Sequence, residues 1–541
     1  MTADLEEHKD ESPAVTTESN VRKQPEYLDL VQEATDAEHA LTLWQALRLY
    51  PQAAAWSVAL SSCLIMEGYD KSLIGSLYAY PAFTRKFGEL TDKGTYQVTA
   101  AWQAGLYNGG QAGSIIGLLV SGWLAERFGY RRVIMGSLVL IIAFVFLLFF
   151  AVNIAMLEAG YVLIGIPWGI FQTITTTYAA EVCPVVLRPY LTTYVNLCWV
   201  VGQLLASGVL RAYVGQPASD QWAWRVPYAV QWVFPLPILV AVILAPESPW
   251  WLVRQGRLRE AEAVLQRLTS KAMRATHGFD VRRSIAMMVH TDETERAAVG
   301  GTSYIDCFRG SNLRRTEIAC AVWSIQNLCG NAFMTYSTYF YEQAGLPTAS
   351  SFSMSLGMYG IAFVGTLLSW VLLSFLGRRS LYVLGLVLLD VVLLAIGIIA
   401  VATPSGSTAA SWAIGSLLLL FTAIYDMFIG PVCYSLVAEI PSTRLRPKTI
   451  VLARAAFNVW GIVNGILTPY MLNPTAWNWK GKTGFFWAGI ATVCAVYCYF
   501  RLPEPKGKTF GEIDVLFEHK VPARKFAKAK VDTIQGTVET K

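Results

Sequence analysis

The stretch Glu181-Val182-Cys183-Pro184-Val185-Val186-Leu187-Arg188 has a partner later in the chain, Glu439-Ile440-Pro441-Ser442-Thr443-Arg444-Leu445-Arg446, with the same seven-residue step from glutamate to arginine. Two further motifs recur with it. Pro246-Glu247 returns as Pro503-Glu504, and Gly129-Tyr130-Arg131-Arg132 returns as Gly377-Arg378-Arg379. The offsets are 258, 257 and 248 residues, so one half of the chain repeats the other. Each copy closes a long apolar run. A membrane protein made of two similar halves has its natural binding site between them, exposed by rocking one half against the other.

Composition agrees. The 541 residues are 54% hydrophobic and 15% charged, with mean hydropathy +0.41, whereas soluble domains carry about 25% charged residues. Twelve runs approach the roughly 20 residues that a bilayer span needs: 54–78, 102–124, 133–152, 155–179, 190–213, 226–245, 317–341, 352–375, 380–402, 410–438, 449–472 and 483–501. They predict an all-α membrane protein with twelve transmembrane helices in two pseudo-symmetric six-helix bundles, 51–250 and 313–502. Between the bundles, 251–312 is polar, and its Leu258–Leu268 stretch has apolar residues at helical spacing, which reads as a cytosolic helical domain. Residues 1–50 and 503–541 are tails. The first holds Asp4, Glu6, Glu7, Asp10 and Glu11 and no apolar run, so no cleavable signal peptide is expected and the first span directs insertion. The second starts ordered and ends in basic sequence (Lys525, Lys528, Lys530) that reads as solvated.

Charge placement orients the chain. Arg127, Arg131, Arg132, Arg188, Arg378, Arg379, Arg444, Arg446 and Lys448 follow spans 2, 4, 8 and 10, and the alternate loops are poorer in cations. By the positive-inside rule both termini and the central domain face the cytosol, and an even number of spans requires the termini to agree. A multi-pass plasma-membrane protein, acting as a monomer with the lipid bilayer around it, is the expectation. The nine cysteines fall in spans or cytosolic segments, so neither disulfide nor metal site is expected. No Gly-rich phosphate loop or nucleophile triad is present, so no enzyme, cofactor or nucleic-acid partner is expected.

Several motifs carry a family likeness. They are Gly68-Tyr69-Asp70, Glu126-Arg127-Phe128-Gly129-Tyr130-Arg131-Arg132, Tyr178-Ala179-Ala180-Glu181 leading to Arg188, and Pro246-Glu247-Ser248-Pro249-Trp250-Trp251-Leu252. Gly377-Arg378-Arg379, Gly430-Pro431 leading to Glu439 and Arg446, and Pro503-Glu504-Pro505-Lys506-Gly507-Lys508-Thr509-Phe510 complete the set. In this order, from about 50 to 520, the chain resembles the sugar porter family of the major facilitator superfamily. Gly165-Ile166-Pro167-Trp168-Gly169, Thr175-Thr176-Thr177-Tyr178 and Asn196-Leu197-Cys198-Trp199 look like fungal α-glucoside (maltose-type) permeases.

Three groups of residues follow. Glu126, Arg127, Arg131, Glu181, Arg188, Glu247, Arg378, Glu439, Arg446 and Glu504 lie at helix ends on the cytosolic rim. There, contacts made in only one state bias the equilibrium toward it, which makes a cytosolic gate; topology alone explains the arginines but not the fixed glutamate–arginine step. Asp70 and Glu67, three apart on one helix face, are acids inside a span, where ionisable groups are costly and functional by default. Close carboxylates in apolar surroundings disfavour each other's ionisation, which suits one of them to carry a proton, and the resemblance points to Asp70. The plainer reading pairs one carboxylate with Lys71. The resemblance also implies an arginine where Tyr161 stands. Arg454 either replaces it as counter-ion or snorkels to the cytosolic face. Asp390 and Asp426 are further buried acids with open roles, and Ser374 stands where the second loop motif of the family has aspartate.

For a neutral polyol, amides and aromatic faces are the fitting partners. Gln172, Asn196, Gln203, Gln326, Asn327, Asn331, Asn458 and Asn464 are mid-span amides, with Trp168, Trp199, Tyr336, Tyr339, Tyr434 and Trp460 near in sequence. For any one amide, an interhelical hydrogen bond is the plainer reading. The expected function is a secondary active transporter of an α-glucoside such as maltose, working by alternating access and proton symport. A facilitative carrier and a non-transporting sugar sensor are the alternatives; the absence of a long signalling tail disfavours the sensor.

Overall fold

The structure, a computed structural model, describes residue 33 and residues 40–91, 94–184, 186–277, 279–299, 304–404, 407–442, 445–506, 508, 510–532 and 537–539. The acidic tail expected over the first residues lies outside these, and so do the side chains of a few helix positions, Arg188 and Arg446 among them.

Helices dominate. α1 (Leu43–Leu49) bends by 88° into α2 (Pro51–Ser61) and α3 (Cys63–Leu77). α4 (Pro81–Phe87) precedes a short β1–β2 hairpin (Glu89–Leu90, Tyr96–Gln97), a pairing that the all-helical expectation did not include. Then come α5 (Ala100–Phe128), α6 (Tyr130–Phe149), α7 (Ile154–Val182), α8 (Arg188–Tyr213), α9 (Gln221–Ala229) and α10 (Pro235–Leu244). The connecting segment forms α11 (Pro249–Arg254), α12 (Leu258–Leu268), α13 (Lys271–His277) and α14 (Val281–Val299). The later set is α15 (Gly310–Gln326), α16 (Ala332–Thr335), α17 (Ser337–Gln343), α18 (Thr348–Phe375), α19 (Arg378–Ala402), α20 (Thr408–Ile424), α21 (Gly430–Glu439), α22 (Arg446–Leu472) and α23 (Thr483–Arg501), followed by α24 (Phe510–Glu518) and a β3–β4 pair (Lys530–Asp532, Thr537–Glu539). Proline opens α2, α4, α10 and α11, where its missing N–H costs nothing.

Among the described residues nine helical segments are long and apolar enough to cross a membrane, ten if the bent α1–α3 segment is one span. The runs expected at 102–124 and 317–341 are not among them. α5 carries Gln103, Asn108, Gln111, Ser114 and Ser121, and most of these point inward. The 317–341 run is broken by a π turn at Asn327–Asn331, with Gly330 at φ 94°. A polar helix stays in the membrane only by turning its polar face to other helices.

α5 runs along α7 and α3 along α8; α19 runs along α23 and α15 along α22. The N-terminal helices meet the C-terminal ones where α5 lies on α22 and α8 on α18. Glycine permits the closest crossing: a Cβ on Gly113, Gly117, Gly165 or Gly169 would overlap a backbone carbonyl of the facing helix, α5 against α7. Small residues are the usual means of close helix approach in lipid.

The last segment starts ordered, and its order reaches Phe526 beside the basic end that was expected to be solvated. Ile513, Leu516, Phe517 and Phe526 are buried, and Asp514 pairs with the buried Arg315 at 2.5 Å. Apolar residues of α24 dock, while Lys525 and Lys528 beyond it stay exposed.

Candidate functional site

The repeated motifs build the same joint twice. The carboxylate of Glu247 accepts the backbone N–H groups of Tyr130 (3.1 Å) and Arg131 (3.3 Å) at the start of α6. The carboxylate of Glu504 accepts those of Arg378 (2.9 Å) and Arg379 (3.1 Å) at the start of α19. Helix N-termini leave N–H groups unpaired and favour negative charge. Burial pushes Glu247 above the usual carboxylate range, opposed by those backbone donors. Arg131 then donates to Ile243 O, and Arg379 to Tyr499 O at 2.8 Å, closing the last turns of α10 and α23.

One difference between the copies is compensated. In the second, Arg378 pairs with Glu439 at 3.1 Å. In the first, Tyr130 stands at that place; its hydroxyl donates to Glu181 at 2.9 Å, and Arg254 of α11 supplies the cation at 2.5 Å. Glu126 gives its carbonyl to Trp251 Nε1 (3.2 Å), and Arg127 stacks over Trp123 and Phe128. Each of these pairs joins residues of one set of helices. At the far rim the two sets also touch. Tyr78 stacks on Tyr336 at 5.9 Å, Tyr107 lies 5.7 Å from Tyr336, and Ser76 and Thr338 hydroxyls are 3.0 Å apart. Tyr336, expected among the sugar ligands, is part of this tyrosine rim.

Between the rims lies a polar relay. Lys71 pairs with Glu67 at 2.7 Å. Gln172 Nε2 donates to Glu67 Oε1 at 2.6 Å, and Trp199 Nε1 donates to Glu67 Oε2 at 3.1 Å. Arg454 Nε donates to Gln172 Oε1 at 2.8 Å. Gln172 thus joins a carboxylate of α3 to a guanidinium of α22. Arg454 does not snorkel: it is 5% exposed and lies over Trp199 (4.7 Å), Trp323 (5.3 Å) and Phe457 (4.5 Å). Asp70 faces elsewhere, accepting from Gln231. The hydroxyls of Tyr161 and Tyr228, 3.0 Å apart, fill the place where the resemblance implied an arginine.

The amides gather beside the relay. Gln326 Nε2 donates to Gly430 O at 3.0 Å, and Asn196 Nδ2 lies 3.7 Å from where a Cβ on Gly430 would stand. Asn327 Nδ2 donates to Phe457 O at 2.8 Å, and Asn464 Nδ2 donates to Asn327 O at 2.5 Å. Tyr434 sits 5.9 Å from Trp323 and 6.5 Å from Trp199. Asn458 is fully buried, and among the described residues neither its Oδ1 nor its Nδ2 has a partner. The same holds for Asn196 Nδ2, Gln111 Oε1, Asn464 Oδ1, Trp323 Nε1 and both Arg454 Nη atoms. Buried donors and acceptors without partners are costly. Gln203 is half-buried on α8, and Asn331 ends the π turn. Sequence reading missed Gln111 and Gln231. The signal was there for Gln111, an amide inside the glycine-rich run of α5; its Nε2 would overlap a Cβ on Gly461.

Comparison with known proteins agrees with this architecture. The family described as "Sugar (and other) transporter" matches residues 56–517. A general alpha-glucoside permease of Saccharomyces cerevisiae is 43% identical over 514 residues, covering 95% of this chain and 83% of that protein. The maltose permease MAL61 of the same yeast is 41% identical over 502 residues, covering 92% and 81%. Among solved structures, the major facilitator superfamily proton:xylose symporter XylE bound to 6-bromo-6-deoxy-D-glucose gives a TM-score of 0.69 at 21% identity, covering 87% of this chain and 99% of that one. The partially occluded inward-open form of XylE from E. coli gives 0.67 at 20% identity, covering 85% and 99%. These likenesses identify an all-α, multi-pass membrane protein with the major facilitator fold, and the chain belongs to the sugar transporter family of secondary carriers.

Proposed function

We propose that the chain carries an α-glucoside such as maltose across the plasma membrane by alternating access, coupled to protons. The observation that carries this reading is the relay from Glu67 through Gln172 to Arg454, set beside amides with unmet hydrogen-bonding groups. Asn196, Gln326, Asn327, Asn458 and Tyr434, with Gln172, are the proposed sugar ligands, and Trp199 and Trp323 offer flat faces to sugar C–H groups. Asp70 and Glu67 are the proposed proton-carrying pair. A proton on Glu67 removes the charge that orders Gln172 and so weakens the bridge to Arg454; sugar binding competes for the same amide. The conformational equilibrium then answers to both ligands, as it must if each binds the two states unequally. The relatives' printed names, which specify α-glucosides and maltose, support the choice of sugar.

The same reading comprises twelve spans with α5 and α15–α17 as the second and seventh, two six-helix bundles around the cytosolic helices α11–α14, both termini in the cytosol, and a monomer. The rim glutamates and arginines, Arg188 and Arg446 among them, form the inner gate. One specific observation favours a second reading. The Tyr161–Tyr228 pair leaves Asp70 an amide partner instead of a cation, which fits a facilitative carrier.

Uptake into liposomes containing the purified protein decides between the two. Labelled maltose, sucrose and glucose are each offered with and without an inward proton gradient. Accumulation of maltose above equilibrium under the gradient is expected. Equilibration alone establishes the facilitative carrier, and no flux of any sugar sinks both.

A further inference from the structure

A second concave feature lies on the charged rim, away from the amides. A cavity of about 420 Å³ opens between the start of α6 and helices α11 and α12, walled by Arg131, Arg132, Trp251, Arg257, Glu260 and Arg267. Its wall holds four arginines and two carboxylates, and both carboxylates are engaged. Glu247 is taken by backbone N–H groups, and Glu260 is gripped by Arg257 through two bonds of 2.7 and 2.6 Å. Arg132 and Arg267 are exposed, and Arg131 Nε is buried without a partner.

The position of this charge narrows the ligand. Arg131 and Arg267 each give one Nη2 to the last carbonyls of α10, Ile243 O and Leu244 O (2.6 Å for the second). Val240, Ile243 and Leu244 point outward from the protein there, and Phe128 of the cavity wall is 42% exposed. The positive cavity is therefore continuous with the lipid-facing surface at the end of a membrane helix, the level of lipid phosphates. Guanidinium groups match phosphate oxygens in forked geometry. The corresponding corner of the C-terminal helices differs. There Arg379 holds Tyr499 O and Lys506 holds Ser374 O (2.9 Å).

We propose that this cavity binds the phosphate headgroup of an anionic phospholipid of the adjoining leaflet, with the acyl chains lying along α6 and α10. A soluble phosphate would meet the same arginines but make no use of the apolar flank. The test is native mass spectrometry of the full chain released from nanodiscs of phosphatidylcholine doped with phosphatidylserine or phosphatidylinositol. The wild type should retain an anionic lipid in preference to phosphatidylcholine. Arg132→Gln with Arg267→Gln should weaken that retention by about fivefold per arginine removed. Arg132→Gln alone leaves the Leu244 carbonyl capped and should show the single-step loss even if the double variant folds poorly, while Arg379→Gln should retain lipid like the wild type. Equal retention of phosphatidylcholine, unchanged retention in Arg132→Gln, or displacement of the lipid by millimolar inorganic phosphate would each overturn the assignment, the last by marking a soluble-anion site.

Discussion

Glu67 has three donors and no water-facing side. Lys71, Gln172 and Trp199 all point at its carboxylate. A Glu67→Gln substitution keeps the shape and removes the titratable group. Maltose accumulation driven by a proton gradient should then vanish while maltose–maltose exchange persists, and Asp70→Asn should behave the same way if the two act as a pair. Retained accumulation in both variants would remove them from proton coupling. At Arg454 the expectation is different, because the guanidinium orders Gln172. A hydrogen bond to a charged group is worth about 1.5–3 kcal/mol, so Arg454→Gln should weaken maltose binding about 10- to 100-fold, measured by tryptophan quenching on Trp199 and Trp323. Unchanged affinity would show that the relay does not prepare the sugar site.

Helices meet through positions that leave no room. A Cβ on Gly75 of α3 would overlap Thr335 O of α16, across the tyrosine rim. In this structure the contact joins the two sets of helices beside the stacked rim tyrosines. Gly75→Ala should therefore push the population toward the form with this rim open, by about 1–3 kcal/mol of overpacking. The readout is labelling of a Tyr78→Cys reporter by an impermeant thiol reagent added outside, which should speed up; unchanged labelling would mean the rim yields without opening. Gly377 works otherwise. A methyl there would strike the Glu504 carboxylate, which accepts the backbone N–H groups at the start of α19. Gly377→Ala should lower thermal stability in detergent without favouring either state, and a selective shift between states would contradict that role.

At the scale of the whole molecule, the C-terminal segment is part of the folded body. Arg315 is 3% exposed and has Asp514 as its acid, and Phe517 and Phe526 cover Arg314 and Arg315. Asp514→Ala leaves that buried guanidinium uncompensated, a change that costs about 3–5 kcal/mol in comparable cases. The melting temperature of the purified protein should fall by several degrees, and an unchanged melting temperature would show that the segment rests on the bundle without stabilising it.

How much of this was readable from residues alone depends on the range of the interaction. The apolar runs, the duplicated rim motifs and the family likeness are local properties: partition into lipid acts on each run of residues by itself, and each motif is a short run of neighbouring residues. The partners of the buried charges were not. Glu67 and Gln172 are 105 residues apart, and Gln172 and Arg454 are 282 apart. Which acid meets which cation follows from how closely α5, α7, α3 and α22 approach, and glycines facing carbonyls set that distance. Sequence alone thus determined a doubled, membrane-embedded sugar carrier with charged rims. Only the tertiary structure decided that Arg454 turns inward to Gln172, that Asp70 is parted from Glu67 by its own amide, and that the last helix docks, since each is a choice among distant partners that only helix crossings bring together.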